Sequence, residues 1–185
     1  MRITHGGFVF LCLIAVGLGL SAATPTWKTF KSTKYRYSAR YPASWYLFTT
    51  TLTPKLDSLD ILNFPPDQRV RGVILKESGA RIMVGPAPSE MRTMEQWIKE
   101  DTKFDTQVAQ REIKGFTKSP SGCAELVEVT SLSEVGPGAY FHHTAYYCST
   151  KYGLYGVSLL NWKGDPNQEK LQAIALKIAL GLRSR

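Results

Sequence analysis

Cys123-Ala-Glu-Leu-Val-Glu-Val-Thr-Ser-Leu132, Ser133-Glu-Val-Gly-Pro-Gly138 and Ala139-Tyr-Phe-His-His-Thr-Ala-Tyr-Tyr-Cys148 follow one another without interruption and decide the fold class. The first and third pieces are rich in β-branched and aromatic residues, and the middle piece is turn chemistry, so together they predict an antiparallel hairpin closed by a cysteine at each end. Placing Leu132 opposite Ala139 sets Cys123 directly across from Cys148, within reach of disulfide geometry. The same register puts His143 opposite Glu128, as a surface pair, and His142 opposite Val129. Loop closure by such a bond contributes about 3 kcal/mol. Two buried free thiols are the competing reading.

Around the hairpin, short strands dominate. Tyr35, Tyr37, Ala39 and Tyr41 alternate with polar residues, and Pro42-Ala-Ser44 ends that strand. Tyr46–Leu52 and Leu59–Phe64 read as strands, and Val70–Lys76 with Ala80–Gly85 reads as a second hairpin around Glu77-Ser78-Gly79. Val108–Ile113 is another strand, and Gly153–Trp162 suits a central one. Two helices separate these runs. Thr93 with Gln96 three positions on is a capping box, and Met94, Trp97 and Ile98 form the buried stripe of a helix reaching about Lys103. Asp165 caps a second helix with Pro166 in its first turn and Leu171, Ile174, Ala175, Ile178 and Leu182 on one side. Strands with hairpin connections and two separated helices predict an α+β fold with a largely antiparallel sheet.

The chain of 185 residues begins with Met1-Arg2, an apolar run from Phe8 to Leu20 and Ser21-Ala22-Ala23, the pattern of a secretory signal cleaved after Ala23. An uncleaved N-terminal anchor is the alternative. Cys12 has most of the apolar run still to come, so it does not sit as a lipidated cysteine does. The expected organisation is a signal peptide over 1–23, a linker over 24–34 and one domain over 35–185. Export to the periplasm or beyond agrees with two remaining cysteines paired in an oxidising compartment. Removing residues 1–23 takes away Arg2 and no acid, which lowers the formal net charge from +8 to +7. That balance favours anionic surfaces as partners. The positives are spread over Lys28–Arg40, Arg69–Arg81, Arg92–Lys118 and the tail, which reads as a solvated surface.

The usual catalytic constellations do not assemble. His142 and His143 are adjacent in a strand and face opposite ways, so they cannot share one metal from the same side. Zinc would need three or four ligands, and the cysteines are spoken for. Gly156-Val-Ser158-Leu-Leu160 lacks the second glycine of a nucleophile elbow and lies within a strand. Asp165-Pro-Asn167 starts like a calcium loop, but Lys170 and Leu176 stand where Gly and Glu are required. No cofactor is expected. The aromatic strands are explained by cross-strand packing, an RNA-recognition signature is absent, and nucleic acid is not an expected partner.

An aromatic strand, Tyr35-Arg-Tyr37-Ser38, running into Tyr41-Pro42-Ala-Ser-Trp45 resembles the opening of PsbP-like domains. The resemblance extends over about 35–182 and implies an α/β/α sandwich around a central antiparallel sheet, shared with the Ran-binding Mog family. It implies a structural role for Tyr41, Pro42 and Trp45. Plant members of that family are extrinsic subunits of the oxygen-evolving photosystem, and many bacterial relatives are exported; no photosystem docking motif is matched here. The resulting expectation is an exported, non-enzymatic envelope or secreted module that binds or stabilises another protein. A hydrolase with residues dispersed along the chain, or a binder of anionic lipid surfaces, are the alternatives.

Overall fold

A computed structural model describes residues 26–53, 56–66, 79–101, 108–116 and 123–184. The expected signal peptide, the strand Val70–Lys76 and the loop at 117–122 lie outside the described residues. Among the described residues, ten strands and two helices run in the order β1 (Trp27–Ser32), β2 (Tyr37–Pro42), β3 (Tyr46–Thr53), β4 (Leu56–Leu62), β5 (Ala80–Pro86), α1 (Met94–Asp101), β6 (Val108–Phe116), β7 (Glu125–Gly136), β8 (Ala139–Thr150), β9 (Gly153–Trp162), α2 (Gln168–Leu180) and β10 (Arg183–Ser184).

Seven strands make one sheet in the order β3-β4-β5-β9-β8-β7-β6, and β1-β2-β10 make a small second sheet. The pairings are antiparallel. The fold is therefore α+β with a largely antiparallel sheet, as expected. β9 is the fourth of seven strands, and its burial alternates along its whole length, so a central position follows from a strand whose two faces both meet packing. Its odd-numbered residues Tyr155, Val157 and Leu159 join Ile61, Ile82, Val84, Leu126 and Tyr146 in the main core. α2 covers this face with Leu171, Ala175 and Ile178. A fully buried Leu, Ile or Val side chain of this kind contributes roughly 1.5–3 kcal/mol. The opposite face carries a smaller core, in which Met94, Trp97 and Ile98 of α1 pack on Val127, Val129, Ala145 and Tyr147.

Local chemistry sets the helix ends. The Thr93 Oγ1 accepts from the Gln96 amide at 3.1 Å, and the Gln96 side chain accepts from the Arg92 amide at 3.1 Å, so the capping box forms with its return bond one residue earlier. At α2 the cap moves. Asp165 Oδ1 accepts from the Asn167 amide at 2.8 Å in a turn that precedes the helix, and Asn167 is the N-cap. Tyr41 and Pro42 are buried at the end of β2, where the Trp45 amide donates to the Pro42 carbonyl at 3.0 Å and the Trp45 ring packs against the main core.

Three expectations are corrected. The segment 24–34 is not a simple linker, because Trp27–Ser32 pairs with β2 along its full length. The partners of Ala80–Gly85 also differ from those expected, since β5 pairs with β4 on one edge and β9 on the other. The cysteine hairpin is also three residues out of the expected register. Leu126 faces Cys148, Ser131 faces His143 and Leu132 faces His142. The reason is the turn. Pro137 and Gly138, the latter at φ 73°, suffice as a two-residue turn, a bulge absorbs the odd residue between Glu134 and Gly136, and β7 runs on through Ser133. A shift of three reverses which residues share a face, so Glu128 lies opposite Tyr146 and not His143. The disulfide forms nonetheless. Cys123 precedes β7, the chain bends at Ala124 with its amide on the Ser149 carbonyl at 2.7 Å, and the Cys123 and Cys148 Cα atoms stand 5.5 Å apart in a bonded pair.

Candidate functional site

Two features stand apart from ordinary packing: a cavity on the α1 face of the large sheet, and a basic surface on the small sheet.

The cavity begins with glycines. Gly85 of β5 and Gly156 of β9 are a directly opposed cross-strand pair, so the floor there has no side chains. The Trp97 ring from α1 settles onto it, and a Cβ added at Gly156 would lie 2.8 Å from the ring's Cη2. Trp97 meets Tyr147 edge to face, with centroids 5.0 Å apart and an interplanar angle of 86°, and the Tyr147 hydroxyl donates to Asp101 Oδ2 at the end of α1. A space of about 230 Å3 stays open beside the ring. Met83, Pro86 and Pro88 supply apolar walls, and Ser58, Asp101, His143 and Ser158 supply polar atoms. His143 Nε2 and Ser158 Oγ share a hydrogen bond of 2.5 Å. Ser58 is 6% exposed, and its Oγ has no hydrogen-bond partner among the described residues.

A serine beside a histidine invites a nucleophilic reading, which the surroundings do not complete. Ser158 sits mid-strand in β9 between β5 and β8, so the neighbouring backbone N–H groups are committed to the two ladders and cannot converge on an oxyanion. The cavity's carboxylate, Asp101, already accepts from Tyr147. Among the described residues no group of three or more His, Cys, Asp or Glu is arranged to hold a metal. Among the described residues, no pair of backbone N–H groups converges beside Ser158 as acyl transfer needs.

The two adjacent histidines part company, as the alternation of a strand requires. His142 points to the α2 side, opposite Asn161, with Thr144 Oγ1 3.5 Å from its Nδ1 and the Gln172 amide 3.3 Å from the same hydroxyl. Burial first, and then the neighbouring His143, lower the His142 pKa. On the same face burial, aided by the charge of Glu128, raises the Tyr146 phenol.

The small sheet collects charge. Lys28 and Lys31 on β1, Arg36 in the following turn, Arg40 on β2, Lys177 on α2 and Arg183 on β10 are all exposed. A groove of about 400 Å3 at the β1–β2 turn is lined by Lys31, Ser32, Thr33, Arg36, Tyr37 and Ser38. Arg36 stands at its rim with φ 52°, a left-handed conformation that side-chain-bearing residues seldom adopt. Tyr37 anchors the groove to the large sheet through its hydroxyl on the Val84 carbonyl at 3.2 Å, and burial raises its pKa.

Of the residues singled out from sequence, the structure brings His143 to the cavity, leaves Glu128 on the other face and joins Cys123 to Cys148 away from both features. Ser58, Asp101 and the Gly85–Gly156 pair carried no sequence signal. The basic surface did carry one: the fifteen acids of the chain all fall between Asp57 and Glu169, so residues 24–56 and 170–185 contain basic residues and no acid at all.

No family model matches this sequence, and no curated protein does. Solved structures do show likeness. The solution structure of the cyanobacterial PsbP, CyanoP, from Synechocystis sp. PCC 6803 aligns with a TM-score of 0.48 at 12% identity, covering 92% of this chain and 99% of that one. A crystal structure from Bacteroides thetaiotaomicron VPI-5482 aligns with a TM-score of 0.48 at 16% identity, covering 85% of this chain and 48% of that one. The protein of unknown function PA94 from Pseudomonas aeruginosa, described as a putative regulator, gives 0.41 at 9% identity, over 82% and 94% of the two chains. At identities of 9–16% these alignments show no family for this chain. The α+β assignment rests on the strand pairing itself.

Proposed function

We propose that this chain is an exported, non-enzymatic module that docks on an acidic surface of a partner protein through the basic face of β1, β2 and β10. One observation carries the reading: the exposed side chains Lys31, Arg40 and Arg183 share one face of a sheet drawn from two segments that contain no acid, with Arg36 exposed in the adjoining turn. A one-sign surface of this kind accelerates and orients encounter with an anionic partner. Export is supported by the signal-like residues 1–23 and by the Cys123–Cys148 disulfide, which an oxidising compartment sustains. Among the described residues no helix is long and apolar enough to cross a membrane.

A photo-crosslinking residue placed at Thr29, beside Arg40 in the β1–β2 pairing, tests this in the native host. The expected result is a discrete adduct with an acidic protein, lost when Lys31 and Arg40 are both changed to Glu. Adducts that persist in that variant overturn the reading. Sedimentation of the wild-type chain, without a protein adduct, on vesicles containing phosphatidylglycerol would move the assignment to a lipid surface.

The 2.5 Å contact between His143 and Ser158 is the one feature that favours a hydrolase. The mid-strand position of Ser158, with its backbone donors committed on both sides, weighs against it.

A further inference from the structure

We propose that the cavity over the Gly85–Gly156 pair is a binding site for a small, neutral, largely apolar ring compound carrying one hydroxyl group. This site lies on the α1 face and does not depend on the docking surface. The cavity exists because paired glycines remove side chains from the floor while Trp97 walls one side, so it is a consequence of specific residues and not of loose packing. Its volume of about 230 Å3 lies below the roughly 300–1,000 Å3 of drug-sized sites, which selects a ligand of fragment size.

The polar atoms define the rest of the ligand. Ser58 Oγ is buried, lines the cavity and lacks a partner among the described residues, a state that native interiors seldom leave uncompensated. Ser158 adds a second hydroxyl whose role adapts. If it donates to His143 Nε2, it can accept from a ligand; if His143 donates, Ser158 can donate. A ligand hydroxyl, itself both donor and acceptor, suits either arrangement. An anion does not, since among the described residues no Lys or Arg lines the cavity and Asp101 does. Trp97, Met83 and Pro86 take the apolar ring.

The test uses the disulfide-intact chain and three ring probes of nearly equal size: phenol, toluene and benzoate. Binding is followed by amide and indole nuclear magnetic resonance signals of Gly156 and Trp97. Phenol is expected to shift both signals saturably, with a dissociation constant of about 1 mM for so few atoms. Toluene should bind at least threefold and benzoate at least tenfold more weakly. Ser58→Ala should abolish the preference of phenol over toluene without weakening toluene. The proposal is overturned if phenol leaves Gly156 and Trp97 unshifted, if benzoate binds as well as phenol, or if Ser58→Ala keeps the phenol preference. Failure of Ser58→Ala to fold would also overturn it, because that outcome means the Ser58 hydroxyl is structurally satisfied in the native protein. Gly156→Ala, whose methyl would meet the Trp97 ring at 2.8 Å and displace the wall of the cavity, should reduce phenol binding at least tenfold.

Discussion

Replacing Gly156 by Ala measures how firmly Trp97 is seated on the large sheet. The added methyl would lie 2.8 Å from Cη2, 3.2 Å from Cζ2 and 3.7 Å from Cζ3 of the indole, against an ordinary carbon–carbon separation of about 3.5–4.0 Å. Relief requires the ring to back away by roughly 0.7–1.2 Å, and Trp97 is not free to do so without disturbing its edge-to-face contact with Tyr147 and the packing of α1. Overpacking of this kind costs about 1–3 kcal/mol. Opposing it, alanine restricts the unfolded chain more than glycine does, a gain of about 0.4–1 kcal/mol. The net expectation is a loss of about 0–2.6 kcal/mol, centred near 1.3 kcal/mol. Urea denaturation of the disulfide-intact protein, followed in a cycle with Trp97→Leu, reads this directly. With the indole gone the methyl meets no ring, and Gly156→Ala should change sign and stabilise. Equal effects in the two backgrounds, or a gain of stability in the wild type, would refute the placement of Trp97 over Gly156 and with it the wall of the cavity.

Other perturbations probe the remaining structure. Cys123 and Cys148 are 25 residues apart, so the double change to Ala should cost about 3 kcal/mol in the chain-entropy model, and a loss under 1 kcal/mol in urea would mean that the bond constrains little. Ile178 of α2 is fully buried, so Ile178→Ala should lose about 2–5 kcal/mol, measured the same way; a loss under 1 kcal/mol would show that α2 is not docked as described. His142 has a folded pKa below its ordinary 6.5, so as the pH falls through about 6.5 the unfolded chain takes up the proton first. Its contribution is neutral above that pH and destabilising below it. Denaturation free energies at pH 7.5, 6.5 and 5.5 should decline and His142→Gln should flatten the decline; a stability that rises on acidification in the wild type would contradict the burial of His142.

Legibility from sequence followed the range of the interaction. Gly153–Trp162 was readable to the residue because a Gly, an alternating run and Lys163-Gly164 mark its ends locally, and the capped helix at Thr93 was readable for the same reason. The hairpin register was not. Six turn-forming residues from Ser133 to Gly138 admit more than one turn, and the two-residue choice with a bulge is favoured only when β7 can keep pairing with both β6 and β8. Trp27–Ser32 lacks a clear period because it is an edge strand paired on one side by β2, so its polar residues face water on most sides.

The two histidines separate what a sequence can state about a site from what it cannot. That His142 and His143 face opposite ways follows from one strand alone, since Cβ direction alternates whatever the neighbours do. Which groups they meet depends on two further registers. His143 reaches Ser158 only because β9 pairs with β8 as it does, and it leaves Glu128 only because β7 is three residues from its expected position. A site built across β4, β5, β8, β9 and α1 multiplies such dependencies, which is why Ser58 and Asp101 left no trace in the sequence while His143 did. The charge bias behind the basic face is a matter of composition, while its assembly depends on the β1–β2 and β2–β10 pairings. The sequence signal for it is the absence of acids from residues 24–56 and 170–185, which local clusters of Lys and Arg do not display.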